Sequence, residues 1–108
     1  MNNVSLFGRL DSDPQLLGMP GRDVCEFWLV EHGRRQGHTV YIKVLTFRGL
    51  AVRLAEELSK GDQVAVTGHL RSEPWPGSRR LYVHSVVARD VQAASSAGRT
   101  DAASGEGR

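Results

Sequence analysis

A chain of 108 residues has room for one domain, and residues 92–108, QAASSAGRTDAASGEGR, carry no large apolar side chain, which leaves a folding unit of about ninety residues. A formal net charge of +2 and a pI of about 9.1 exclude a strong overall field, so an anionic partner has to be met by local clusters of charge. One cysteine, Cys25, excludes an internal disulfide and a cysteine-rich zinc site, and no run of about eighteen apolar residues is present to cross a membrane.

The start of the chain, MNNVSLFGRLDSD, also lacks the charged head and apolar run of a secretion signal, so a cytoplasmic location is expected. Val4, Leu6 and Leu10 alternate with Ser5 and Arg9 and predict a first strand over 4–10, with Gly8 at a bend or a close backbone approach. Residues 11–22, DSDPQLLGMPGR, are dense in Asp, Pro and Gly and read as one long loop closed by a Pro20-Gly21 turn. Asp11 and Asp13 are read as turn formers, because no third ligand accompanies them. The second strand is predicted over 24–31, with Cys25, Phe27 and Leu29 on one face and Val24, Glu26, Trp28 and Val30 on the other. Trp28 is open to three readings, and an oligomer contact or partly exposed packing is favoured over a stacking platform.

HGRRQGH, residues 32–38, returns the chain into a third strand over 39–47. Arg34 and Arg35 make that turn basic, either as a solvated tip or as a phosphate contact beside the strand that follows. In the third strand Val40, Ile42 and Val44 share the face expected in the core, while Tyr41, Lys43, Leu45 and Phe47 share the other. Two rings flanking an ammonium suit stacked bases and a phosphate backbone. The period then changes: Leu50, Leu54 and Leu58 recur every fourth residue with Ala51 and Ala55 beside them, predicting a helix that stops at Lys60-Gly61. A fourth strand is predicted over 63–70 and a fifth over 81–91, joined by SEPWPGSRR. Trp75 in that loop is either clamped locally by its two prolines or, the favoured reading, a base-stacking side chain among Arg71, Arg79 and Arg80.

Three strands, one helix and two more strands, with glycines inside the first and fourth, predict an all-β fold: a five-stranded OB-fold barrel with one helix between strands three and four. The face of strands two and three, with the adjoining loops, is the ligand groove of that architecture, and it holds Tyr41, Lys43 and Phe47, with Trp75 in the last loop. Residues 1–91 form the expected domain and 92–108 a disordered polar tail.

MNNVSLFGRLDSDP, VCEFWLVEH, TVYIKVLTFRGLAVRLAEELSKGDQVAVTGHLRSEPW and YVHSVVARDVQ together resemble bacterial single-stranded DNA-binding proteins, in the same order, from Met1 to about Val91. The resemblance implies an OB-fold that binds single-stranded DNA without sequence preference, in replication, repair or recombination, and that usually forms a homotetramer. Its stacking aromatics match Tyr41, Phe47 and Trp75, and Lys43 matches a basic groove position. Near Arg34 and Arg35 the family commonly carries a longer loop with another stacking tryptophan, so guanidinium stacking there or the loss of one platform is implied. The family usually ends in an acidic, aromatic-closed tip, whereas this chain ends SGEGR, and recruitment of replication enzymes through the tail is not expected.

No glycine-rich phosphate loop, paired carboxylates, activated nucleophile or metal cluster is legible, and His32, His38, His69 and His84 stand at no metal spacing. Neither catalysis nor a cofactor is therefore expected. A primosomal-type OB protein, dimeric and acting mainly through protein partners, is the competing reading.

Overall fold

Alternation of apolar and polar residues builds most of the chain into strands, and their register closes the sheet on itself. The computed structural model describes residues 1–19, 21–32 and 37–94. In chain order the elements are β1 (Val4–Leu10), β2 (Gln15–Met19), β3 (Arg22–His32), β4 (Thr39–Phe47), α1 (Arg48–Glu57), β5 (Gln63–Pro74) and β6 (Tyr82–Ala93). Neighbours run β1-β5-β6-β4-β3-β2, and β1 also pairs with β3 through Arg9–Val30 and Leu10–Leu29. That pairing closes β1, β5, β6, β4 and β3 into the five-stranded OB barrel. All its ladders are antiparallel except β4–β6. α1 is the helix between the third and fourth barrel strands.

The barrel interior is filled from every wall. Phe27 and Leu29 of β3, Val44 of β4, Val64 and Val66 of β5 and Val86 of β6 are fully enclosed, and Leu54 and Leu58 are buried in the same core. Each such side chain contributes about 1.5–3 kcal/mol over exposure. Cys25 lies in the same layer, where burial pushes its thiol pKa up, so it is an inert packing group. Thr46, also buried, donates its hydroxyl to the Cys25 carbonyl at 3.4 Å.

Two glycines are fixed by close approach of backbones. A Cβ at Gly8 would overlap the Val30 carbonyl at the β1–β3 closure, and one at Gly68 would overlap the Val87 carbonyl. At Gly68 the β5–β6 register shifts, which bends β5 around the barrel.

The long loop expected over 11–22 contains a strand. β2 pairs from Gln15–Glu26 to Met19–Arg22, forming a hairpin on the stretch of β3 that β1 does not reach. The density of Pro and Gly masked a five-residue ladder, because Gly21 (φ 79°) supplies the tight reversal while Gln15 to Gly18 stay extended and exposed. Other boundaries move less. α1 starts at Arg48, which takes φ 62° as the chain swings out of β4. It ends at Glu57, before Lys60 and Gly61, where the Ser59 and Asp62 backbones and the Asp62 carboxylate form a turn. β5 runs on to Pro74 as an exposed arm paired with β6, a polar stretch that alternation could not mark.

β6 continues to Ala93, and the Ala94 amide donates to the Gln63 carbonyl at 2.8 Å. The last strand thus runs two residues beyond Val91. The tail beyond Ala94 lies outside the described residues.

Candidate nucleic-acid interface

The outward face of β3 and β4 is set by their register: Val30–Tyr41, Trp28–Lys43, Glu26–Leu45 and Val24–Phe47. Directly paired residues point to the same side of a sheet. With Phe27, Leu29 and Val44 turned into the barrel, this second set faces outward, as the alternation of β4 requires.

Tyr41 and Trp28 meet in the middle of this face, with ring centroids 5.0 Å apart and planes tilted by 51°. Lys43 Nζ lies 5.8 Å from the centre of the Trp28 ring and 3.9 Å from Glu26 Oε1. Trp28 is thus half-buried against the ring and the cation that sequence had placed in the groove, and belongs to the same cluster of side chains. Its membership depends on register, which strand periodicity alone does not supply.

The loop after β1 fixes these rings from behind. The Asp11 amide donates to the Trp28 carbonyl at 2.8 Å, the Trp28 amide donates to Ser12 Oγ at 3.1 Å, and Tyr41 donates its phenol to Asp11 Oδ2 at 2.8 Å. That hydrogen bond to Asp11 is the main cause raising the Tyr41 pKa above its ordinary value. Asp13 accepts from the Lys60 amide at 2.8 Å. Both carboxylates thus accept hydrogen bonds from residues distant in sequence, and among the described residues no group of three His, Cys, Asp or Glu could hold a metal.

Phe47 stands at the far end of β4, six residues and roughly 20 Å from Tyr41, and stays 38% exposed. The basic positions extend sideways. Lys43 pairs with Ser85 of β6, and Ser85 with Arg71 of β5, so Trp28, Lys43, Ser85 and Arg71 form one lateral row across four strands. Arg71 is ion-paired with Glu73. Trp75 sits 53% exposed at the tip of the β5–β6 arm. There the Trp75 amide donates to the Leu81 carbonyl at 2.7 Å, and Ser78 Oγ accepts from the Arg80 and Leu81 amides. Arg79 and Arg80 are exposed on the same tip. No ring contact joins Trp75 or Phe47 to the central pair among the described residues. Arg34 and Arg35 lie outside the described residues.

The profile of the single-strand binding protein family matches residues 1–94, which hold the whole barrel. This chain belongs to that family. It is 33% identical over 100 residues to single-stranded DNA-binding protein 3 of Listeria innocua, covering 85% of this chain and 62% of that protein. It is 39% identical over 82 residues to the single-stranded DNA-binding protein of Thermus thermophilus, covering 72% of this chain and 31% of the relative. With the Caldanaerobacter subterraneus protein of the same name, identity is 36% over 102 residues, covering 85% and 67%. The chain thus spans from about a third to two thirds of the length of these single-strand binding relatives. No helix among the described residues is long and apolar enough to cross a membrane.

Proposed function

We propose that the chain binds single-stranded DNA without sequence preference, as a holding protein in replication, repair or recombination and not as an enzyme. The observation that carries this reading is the interleaving of rings and cations on the open face of an OB barrel: Trp28 against Tyr41, Lys43 over Trp28, and Phe47 further along β4. Every base has a π face, so such a surface is tolerant of sequence, and duplex DNA, whose bases are already stacked, cannot use it. The names of the relatives support the same substrate.

Bases stack on Trp28, Tyr41, Phe47 and Trp75, and phosphates meet Lys43, Arg71, Arg79 and Arg80, with Arg34 and Arg35 as further phosphate contacts. The binding unit is the barrel of residues 1–94. It assembles as a homotetramer, for which exposed Phe7 on β1, beside a cleft of about 300 Å³ lined by Arg9, Val30 and His32, offers apolar surface.

Titration of the full chain with a thymidine oligonucleotide and with a duplex of equal length tests this. The single strand is expected to bind at least about a hundredfold tighter, with a native mass of four chains of 11.9 kDa each. Equal affinity for both nucleic acids would sink the stacking account. A dimer with weak affinity for either would point to a primosomal-type protein instead.

A further inference from the structure

The lysine at the centre of the platform is already engaged by a carboxylate of its own chain. Lys43 Nζ lies 3.9 Å from Glu26 Oε1, and the two side chains keep 31% and 27% of their surface in water. A pair exposed to that degree adds little to stability. Nor does Lys43 need Glu26 to hold its place, because its ammonium also rests 5.8 Å from the centre of the Trp28 ring. For an anion the consequence is direct. A phosphate in contact with Lys43 comes within about 7 Å of the Glu26 carboxylate, and has to displace it or bear its repulsion. Arg71 shows the same arrangement further along the row, paired with Glu73.

We propose that Glu26 is an affinity-setting residue of this interface: its carboxylate competes with DNA phosphate for Lys43 and holds binding below what the rings and cations alone would give. The inference rests on the reading of this face as the single-stranded DNA site. With a formal net charge of only +2, attraction of the strand depends on local cations, and one occupied by Glu26 weighs on binding. Easier release of the strand is what the competition gains.

The test is the affinity of full-length Glu26→Gln for a thymidine oligonucleotide at fixed salt, beside the parent chain. Binding about threefold to tenfold tighter is expected, with the melting temperature little changed. Glu26→Ser, which removes the charge with a different side chain, gives a gain of the same sign. Glu57→Gln breaks a comparable exposed pair with Arg53 on α1, 4.0 Å long and away from the platform, and should alter affinity less than about twofold. Unchanged binding by both Glu26 variants would show that the carboxylate does not compete, weaker binding that it orients Lys43 for DNA, and either result would overturn the proposal. A gain from Glu57→Gln equal to that from Glu26→Gln would also overturn it, since net charge would then suffice. A parent chain that fails to bind the oligonucleotide would instead remove the reading of the site itself.

Discussion

Tyr41→Ala is expected to weaken thymidine oligonucleotide binding by about tenfold to a hundredfold, because stacking is worth about 1–3 kcal/mol per base. Two things go with the ring: a face for one base, and the contact that holds Trp28 at 5.0 Å. Trp28→Ala should therefore cost about as much as Tyr41→Ala, and the double variant less than the product of the two, since contacting residues are not additive. Phe47→Ala and Trp75→Ala each remove a separate stacking face and should multiply with the central pair. Tyr41→Phe keeps the ring and loses only the hydrogen bond to Asp11, so its loss should stay within about fivefold. Fluorescence makes the measurement convenient: the chain has two tryptophans, Trp28 and Trp75, and both belong to the proposed interface. If all four alanine variants bind as the parent does, DNA lies elsewhere.

The largest expected effect on stability comes from a position without a side chain. Gly68→Ala should destabilise the fold by about 2–4 kcal/mol, lowering the melting temperature on the order of 10–20 °C. The added methyl group would overlap the Val87 carbonyl, and backbone on both strands would have to move at the point where β5 changes register against β6. The overlap is with main chain, so no rotamer change relieves it. Gly49→Ala is the contrasting case. Nothing lies within 4 Å of the new methyl group in the first turn of α1, and alanine's better helix propensity should add about 0.5–1 kcal/mol. Thermal melts of the two variants should therefore shift in opposite directions. A Gly68→Ala protein that melts with the parent would mean that the bend in β5 does not depend on this approach.

What could be read in the sequence follows from periodicity. β1 and β4 carry clean alternation, and the structure gives both the expected bounds, Val4–Leu10 and Thr39–Phe47. The outward set of Tyr41, Lys43 and Phe47 comes with that alternation. β2 was hidden because QLLGM has no alternation and sits among Asp, Pro and Gly, while its ladder depends on β3. The polar end of β5, Ser72 to Pro74, was hidden for the same reason: its partner, not its own pattern, makes it a strand. Trp28 shows the limit most clearly. Its face was legible, but its neighbours were not, because they depend on which β4 residue stands opposite. The roles of Asp11 and Glu26 required coordinates as well, since each acts on a residue far away in sequence.

The outward face of β3 and β4 is the proposed site for single-stranded DNA. Ultraviolet cross-linking of a thymidine oligonucleotide to the full chain, followed by mapping of the modified peptides, tests it most directly. Cross-links are predicted at Trp28, Tyr41 and Phe47, with Trp75 on the β5–β6 arm as a further point, and an excess of duplex should not suppress them. Cross-links confined to other exposed rings, such as Phe7 on β1 or Tyr82 on β6, would contradict the account, because DNA would then be held on a different wall of the barrel.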